Sequence, residues 1–421
     1  MKAIQRMFRT LASKRRSRLT AAQPALLAVC SLLLLLTGCE WPMYRQGPGR
    51  TGQSGVNTSS NAGKLQWSYS NGLGQNQVPY GPVIGATSST GGIYLGDEFG
   101  TVYSVTTSGK LAWSTPTGGI GATPSAVGMD LSVYAMQIGG SLYDVTSTGV
   151  NWTFSPPNGL SPANLATAND GSGTIYTGNQ CGVFYALNPN GTTKWAYSGF
   201  AKDCDTGNAG APTISPAVGP DGTIYSGVNY GFNAGGVLFA LSPSGSLLWS
   251  SKTYAGTPAV SDNGTIYVLG LGGGQLYALN SSGTLQWQVN APNGGEFTLP
   301  AIASDGSIYV GTAGEGLMRI SAAGAVIWNT TPAGISYFFS PATIGGDGTV
   351  YIVGDANNGA ATLLAVNPSS TVKWSNSNLC DSASGVFDAD DEPVIGFDGT
   401  IYLILDGFAG DVASCPLQAF H

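Results

Sequence analysis

The sequence contains little histidine and little charge. Its one histidine is the C-terminal residue His421, and charged residues make up 9% of the chain. A single terminal histidine excludes a Ser-His-Asp triad and a histidine-rich metal site. Downstream of Cys39, nine scattered basic residues remain against 23 acidic ones. Nucleic-acid binding needs a clustered positive surface, so we exclude nucleic acid as a partner.

Cysteine is also sparse, and no two cysteines are adjacent or arranged as CxxC. A zinc site of the CxxC type is therefore not expected. Four cysteines follow Cys39, and an even number in an exported chain predicts disulfide bonds. Four cysteines can pair in three ways. We favour the pairing that joins neighbouring loops, in which Cys181 bonds to Cys204 and Cys380 bonds to Cys415.

The one long apolar run lies near the N-terminus, from Ala25 to Leu36, behind a stretch with seven basic residues and no acidic ones. This pattern predicts a secretory signal peptide over 1–38, because the run is shorter than the roughly 20 residues of a membrane span. The alternative is an uncleaved membrane anchor. The sequence Leu-Thr-Gly-Cys that ends at Cys39 resembles the bacterial lipoprotein signal. The resemblance implies that Cys39 is lipidated and, because Glu40 follows it, that the protein is anchored to the outer membrane.

A sustained helical pattern of apolar residues is missing after Cys39, and a β-type repeat is present instead. Each unit has four short apolar runs separated by turns such as Asp221-Gly222. Four antiparallel strands in about 40–45 residues are typical of one β-propeller blade. A tryptophan near the end of each unit counts the repeats: Trp67, Trp113, Trp152, Trp195, Trp249, Trp287, Trp328 and Trp374.

The two ends of the chain complete each other. The run from Lys64 to Trp67 is a fourth strand with no third strand before it, whereas the last unit has three strands and no tryptophan. Pairing them removes an exposed sheet edge. We therefore predict an all-β fold over 63–421, an eight-bladed β-propeller of four-stranded antiparallel blades. Its last blade is closed by the N-terminal strand, and its tryptophans pack against neighbouring blades.

Antiparallel strand order places the short Asp-Gly, Asn-Gly and Ser-Gly turns on one face of the propeller and the long variable loops on the other. Binding residues on rigid scaffolds usually lie in such loops, so we expect the long-loop face to bind. Seven aromatic residues precede inner strands on that face. They form either a binding rim or side chains that fill gaps between loops, and both interpretations stay open: Tyr80, Tyr254, Phe297, Tyr337, Phe338, Phe339 and Phe387.

The densest acidic cluster also lies on this face, at Asp388, Asp390, Asp391 and Glu392. Carboxylates at this density could bind Ca²⁺. Their spacing does not fit an EF-hand loop, and we favour the alternative of a solvated acidic loop.

The repeat resembles the pyrroloquinoline-quinone-like propeller repeat. Units such as DGTIYSG…VLFALSPSGSLLW carry the resemblance, and the segment WPMYRQGPGRTGQS (41–54) looks like the lead-in of this family. We therefore assign 39–62 to a lipid-anchored lead-in segment that packs against the propeller. Quinoprotein dehydrogenases of this superfamily carry a vicinal cysteine pair, which this sequence lacks. No cofactor is expected, and PQQ with Ca²⁺ is kept as the alternative.

The predicted lipid anchor, size and blade number are similar to those of lipid-anchored propellers in the outer-membrane β-barrel assembly machinery. The resemblance implies a non-catalytic scaffold that binds protein partners at a bacterial membrane. It further implies a monomer or a subunit of a hetero-complex, facing the periplasm or the cell surface. The alternatives are a PQQ-dependent periplasmic oxidoreductase and a propeller that binds carbohydrate or cell surfaces.

Overall fold

The structure is a computed structural model, and it is built almost entirely of β-strands. Among the residues that the structure describes, 33 strands form eight sheets, and the one helix is a 3-10 turn at Pro292–Gly294. The eight sheets are the blades of an eight-bladed β-propeller, as predicted. The described residues are 47–70, 79–85, 92–97, 99–119, 121–128, 130–137, 140–157, 168–169, 173–201, 213–230, 235–254, 256–270, 272–312, 316–356, 361–377, 379, 392–405 and 417–421.

Blades 1 to 4 each contain four consecutive antiparallel strands. Blade 1 comprises β2 (Pro79–Gly85), β3 (Gly92–Asp97), β4 (Thr101–Thr106) and β5 (Leu111–Pro116). Blade 2 comprises β6 (Ala122–Val127), β7 (Val133–Gln137), β8 (Leu142–Thr146) and β9 (Gly149–Phe154). Blade 3 comprises β10 (Ala168–Asn169), β11 (Ile175–Gly178), β12 (Phe184–Leu187) and β13 (Thr193–Tyr197). Blade 4 comprises β14 (Ala217–Val218), β15 (Ile224–Asn229), β16 (Gly236–Leu241) and β17 (Leu247–Ser251).

Blades 5 and 6 repeat this order, and blade 7 has an inner strand in two pieces. Blade 5 comprises β18 (Ala259–Val260), β19 (Ile266–Leu269), β20 (Gln275–Leu279) and β21 (Leu285–Asn290). Blade 6 comprises β22 (Ala301–Ile302), β23 (Ile308–Thr312), β24 (Gly316–Ile320) and β25 (Val326–Thr330). Blade 7 comprises β26 (Ile335–Phe338), β27 (Thr343–Ile344), β28 (Val350–Ala356), β29 (Ala361–Val366) and β30 (Val372–Asn376).

Blade 8 joins the two ends of the chain. It comprises β31 (Val394–Ile395), β32 (Ile401–Leu403), β33 (Leu417–Phe420) and, as outer strand, β1 (Leu65–Tyr69). β1 pairs antiparallel with β33, and the backbones of Lys64 and His421 exchange two further hydrogen bonds of 2.9 and 3.0 Å. The predicted closure by the N-terminal strand is therefore confirmed.

Each blade holds its tyrosine and tryptophan in one cross-strand row. In blade 4, Tyr225 and Trp249 both pair with Ala240 on the strand between them. The small middle residue lets the two rings meet above it, with centroids 6.0 Å apart. The same pair occurs in all eight blades at 5.7 to 6.0 Å. Such tilted aromatic contacts add stability beyond their buried area.

The tryptophans also join neighbouring blades. The indole N–H of Trp195 in blade 3 donates to the carbonyl of Pro243 in blade 4, at 3.0 Å. The ring lies beside Gly245, which has φ +85° and where a Cβ would stand 2.7 Å from the indole. Glycine is therefore required for both the backbone conformation and the close approach. The predicted packing of tryptophan on the next blade is confirmed.

The lead-in segment lies along the inner strands of four blades and also contacts blade 8. Carbonyl oxygens of Pro48, Gly49, Thr51 and Gly52 accept hydrogen bonds of 2.7 to 2.8 Å. The donors are the N–H groups of equivalent residues in blades 4 to 7: Val218, Val260, Ile302 and Ile344. Further along, the Asn61 side chain donates to carbonyls of blade 8. The segment therefore covers inner-strand edges that line the propeller axis.

Candidate functional site: the two faces of the propeller

The strand order gives the propeller a tight-turn face and a long-loop face. The tight-turn face carries the turns that join strands one to two and three to four within a blade, for example 219–223 and 242–246 in blade 4. In the first of these turns, Asp221 Oδ1 accepts from the Thr223 N–H at 3.0 Å, and Gly222 has φ +81°. The remaining loops, including those between blades, form the long-loop face.

The lead-in segment lies at the tight-turn end of the axis. Val218, Val260, Ile302 and Ile344 are each the last residue of an inner strand, directly before the turn to the second strand. Arg50 is 1% exposed, and its Nε donates to the Pro216 carbonyl on the inner side of blade 4. This segment therefore occupies the tight-turn end of the propeller axis.

Three of the aromatic residues proposed for the binding rim are buried: Tyr254, Phe297 and Phe338. The Tyr254 ring meets the Tyr277 ring edge-on at 4.8 Å. Phe297 belongs to the core between blades 5 and 6, and Phe338 to that between blades 6 and 7. These three side chains are therefore buried in the cores between neighbouring blades.

Tyr337 and Phe339 are half-buried, and their rings make an edge-on contact at 6.1 Å. Tyr337 pairs with Asp355 across β26 and β28. Burial raises the pKa of the Tyr337 hydroxyl, and a hydrogen bond to the Asp355 carboxylate raises it further. Asp355 Oδ1 is buried with no hydrogen-bond partner among the described residues. The sequence indicated the two aromatic residues but not Asp355. This carboxylate lies near the end of the apolar strand Val350–Ala356, and no sequence motif marks it as a site residue.

The remaining rim candidates are Tyr80, whose backbone lies in β2, and Phe387. The side chain of Tyr80 and the whole of Phe387 lie outside the described residues, so their roles stay predictions.

Of the acidic cluster, only Glu392 is described, and it is 3% exposed. Its Oε1 lies 3.4 Å from the Thr343 hydroxyl of blade 7. Asp388, Asp390 and Asp391 lie outside the described residues, so the choice between a Ca²⁺ site and a solvated loop stays open. Within the described ranges, no group of three or more His, Cys, Asp or Glu side chains could hold a metal ion.

Cys181 is buried in blade 3 and takes part in a disulfide bond. Cys204, Cys380 and Cys415 lie outside the described residues, so the pairing stays a prediction. The same holds for the signal peptide and for the lipidated Cys39, which precede Gly47. None of the helices in the described part of the chain is long and apolar enough to cross a membrane.

Comparison with a family model matches residues 233–405 to the family described as outer membrane protein assembly factor BamB. The matched region is less than half of the chain and spans blades 5 to 7 with parts of blades 4 and 8. The chain is thus a PQQ-like propeller that resembles BamB. A comparison with curated proteins finds no match.

Solved structures with the same architecture include BamB and two dehydrogenases. BamB from Moraxella catarrhalis is 15% identical with a TM-score of 0.54, covering 85% of this chain and 97% of that one. Quinohemoprotein alcohol dehydrogenase from Comamonas testosteroni is 13% identical with a TM-score of 0.65, covering 91% and 80%. A europium-containing methanol dehydrogenase has the same identity and TM-score, covering 93% and 99%. At such identities, the likeness establishes the fold and leaves the activity to the residues of this chain.

Proposed function

We propose that this protein is an exported, lipid-anchored scaffold that binds protein partners through its long-loop face and serves in outer-membrane protein assembly. The observation that carries the proposal is the difference between the two ends of the channel. The lead-in segment occupies the tight-turn end, whereas the long-loop end carries the half-buried pair Tyr337 and Phe339. Function on a rigid scaffold usually lies in its variable loops.

The Tyr337–Phe339 pair has the chemistry of a protein-binding anchor. Aromatic side chains with few rotatable bonds dominate the binding energy of many interfaces when they enter a partner's pocket. The antiparallel pairing of Tyr337 with Asp355 across β26 and β28 fixes the backbone that carries this ring before binding. An orienting contact of this kind lowers the entropy that binding would otherwise cost. We infer that an extended segment of the partner lies across these two rings.

A quinone-dependent oxidoreductase is the second candidate, because dehydrogenases of that class share the fold. The residues of this chain do not fit the cofactor well. The sequence lacks adjacent cysteines, and within the described ranges no carboxylate cluster could hold the Ca²⁺ that would accompany PQQ. No redox step is therefore derived for this protein.

The proposal is tested by crosslinking the full-length protein in its native membrane and identifying the captured partners by mass spectrometry. In the double variant Tyr337→Ala with Phe339→Ala, the mass-spectrometric signal of the captured partners should fall at least tenfold. Ile327→Ala, an equally simple truncation of an exposed side chain on an outer strand, should keep it. An unchanged set of partners after removal of both rings would contradict the assignment of this face.

A further inference from the structure

Among the residues that the structure describes, the large exposed apolar side chains are concentrated at the tight-turn end of the propeller. Eleven large hydrophobic side chains are exposed among the described residues. Ten of them lie in the first two residues of an outer strand or in a turn of the tight-turn face, and the eleventh is Phe99 in a loop of the other face. Scattered exposed aliphatic residues are ordinary, but ten of the eleven in the described part of the chain lie at the same end.

Most of these side chains occupy one position of the repeat. The residue two positions before the blade tryptophan is leucine in four blades, valine in three and Thr193 in blade 3. The seven aliphatic residues are 38 to 48% exposed. We call them the aliphatic ring. Each of the seven is the first or second residue of the outer strand of its blade, at the strand's tight-turn end. The ring therefore marks the rim of the tight-turn face.

The lead-in segment links this same face to the predicted lipid anchor. Seven residues separate Cys39 from Gly47. The eight Cα–Cα steps between the two residues span at most about 28 Å when the chain is fully extended. Gly47 lies next to Pro48, which bonds to the inner strand of blade 4 at its tight-turn end. To place Cys39 at the long-loop face, the chain from Gly47 would have to pass around a blade. It would cross three strand spacings, about 14 Å, and then run about 17–20 Å along a strand. The tether is too short for that route.

We propose that the tight-turn face lies against a lipid bilayer, with the aliphatic ring at the lipid surface and the long-loop face directed away from it. This inference rests on the lipid anchor of the proposed function. A ring spread over seven of eight blades defines a plane, which a flat bilayer surface contacts better than a compact protein partner does. The arrangement leaves Tyr337 and Phe339 accessible on the opposite side.

The charges at this face favour apolar rather than electrostatic contact. Lysines stand next to ring positions, as Lys110 does beside Leu111 and Lys373 beside Val372. Nearer the axis, the turns between strands one and two carry carboxylates such as Asp221 and Asp398. Each accepts a hydrogen bond from the backbone N–H of the threonine two residues later. Positive and negative groups therefore alternate from rim to axis, and the contact should not require anionic lipid.

The test uses the full-length lipidated protein in phosphatidylcholine vesicles that contain a nitroxide-labelled lipid. A thiol-reactive fluorophore is placed by Leu248→Cys on the rim or by Phe99→Cys on the long-loop face, and the unsubstituted protein serves as the labelling blank. Both positions are more than half exposed, at 54% and 59%, so the pair is matched. We expect quenching at least threefold stronger at residue 248. Ile327→Cys, at the same position in blade 6, repeats the measurement if the first variant folds poorly.

Equal quenching at the two faces, or stronger quenching at residue 99, would overturn the inference. A second copy of the chain on the ring would appear as a dimer in detergent-free sedimentation of the unlipidated Cys39→Ser protein, and would also overturn it. Failure of the partner assignment is separable, because the Tyr337 and Phe339 variants report on the opposite face. Absence of an acyl group on Cys39 in the mass spectrum would remove the anchor, and with it both proposals.

Discussion

The indole of Trp374 in blade 7 covers Gly63, which lies 311 positions earlier in the chain, and its N–H donates to the carbonyl of Asn61 at 2.9 Å. For five other tryptophans, the equivalent glycine and carbonyl belong to the turn between strands three and four of the next blade, as Gly245 and Pro243 do for Trp195. Blade 8 has no continuous chain at that turn, because its third strand ends the chain and its fourth begins near residue 65. Residues 61–63 therefore replace the missing turn and complete the contact between blades.

This contact predicts a large cost for Gly63→Ala. Gly63 has φ +70°, and a Cβ there would stand 2.4 Å from the Trp374 ring. Gly264→Ala is the matched control, since Gly264 has φ +81° with nothing within 4 Å of its Cβ position. The control should lose about 1 kcal/mol of unfolding free energy through backbone strain, and Gly63→Ala about 1–3 kcal/mol more through overpacking. Equal losses in chemical denaturation would show that the ring contact contributes nothing.

Blade 7 departs from the glycine rule and predicts a stabilising change. Ser370 stands where blade 4 has Gly245, and it holds φ +74° with a side chain. Because glycine adopts this conformation without a Cβ penalty, Ser370→Gly should raise the unfolding free energy by about 0.5–1 kcal/mol. Ser370→Ala keeps the Cβ and should show no gain in the same thermal melts. A gain in both variants would assign the effect to the hydroxyl instead.

The sequence predicts the number of blades and their closure because both depend on local patterns that recur eight times. In blade 4 the apolar run Leu247 to Trp249 predicts an outer strand, and it forms the first part of β17. The predicted Lys64 to Trp67 strand overlaps β1, which runs from Leu65 to Tyr69. The inner strand of blade 4 is shorter than the run Pro216 to Gly219 predicts, because it reduces to Ala217–Val218. The reason is that the pairing ends where Pro216 cannot donate a hydrogen bond and where the turn begins at Gly219.

The path of the lead-in segment was beyond prediction. Its residues form backbone hydrogen bonds with four inner strands, and carbonyl groups carry no sequence signal. Burial of Tyr254, Phe297 and Phe338 was equally undecided, because an aromatic residue before an inner strand suits either a rim or a gap between blades. The choice depends on how far neighbouring blades approach one another, which only three-dimensional packing determines.

Asp144 predicts a pH-dependent stability. It takes the middle position of the aromatic row in blade 2, where most blades have a small residue, and it is 3% exposed. Burial raises the pKa of its carboxyl, although hydrogen bonds from Ser132 and Asn151 oppose the shift. Oδ1 has no hydrogen-bond partner among the described residues. The ionised carboxylate therefore destabilises the folded state at neutral pH.

Asp144→Asn removes that charge while keeping the shape, and it should raise the unfolding free energy at pH 7 by about 1 kcal/mol. Because the pKa of Asp144 is raised in the folded state, the destabilisation by its ionised carboxylate is fully present above the folded-state pKa. It is absent below the ordinary pKa of about 3.9. The advantage of the variant should therefore shrink as the pH falls through the folded pKa toward that value. An advantage that stays constant from pH 7 to pH 4 in urea denaturation would contradict the electrostatic explanation.

The lead-in segment predicts a local effect that can be separated from global stability. Gly49 accepts a hydrogen bond from the Val260 N–H at 2.7 Å, and a Cβ on Gly49 would stand 2.5 Å from the Val260 carbonyl oxygen. Gly49→Ala should therefore push the segment away from blade 5. Gly47→Ala, where nothing lies within 4 Å of the new Cβ, is the matched control.

Hydrogen exchange measures the outcome at single amides. Displacing the segment exposes the N–H group of Val260 to solvent. It also exposes those of the equivalent residues in the adjacent blades, Val218 and Ile302. Their protection should fall at least tenfold in Gly49→Ala, which corresponds to a loss of about 1.4 kcal/mol, and stay unchanged in Gly47→Ala. Amides within β19 and β20 should exchange as before, because their partners are other strands of blade 5. Uniform loss of protection across blade 5 would instead mean that the lead-in segment is part of the blade's cooperative core, and that the channel end cannot open without unfolding it.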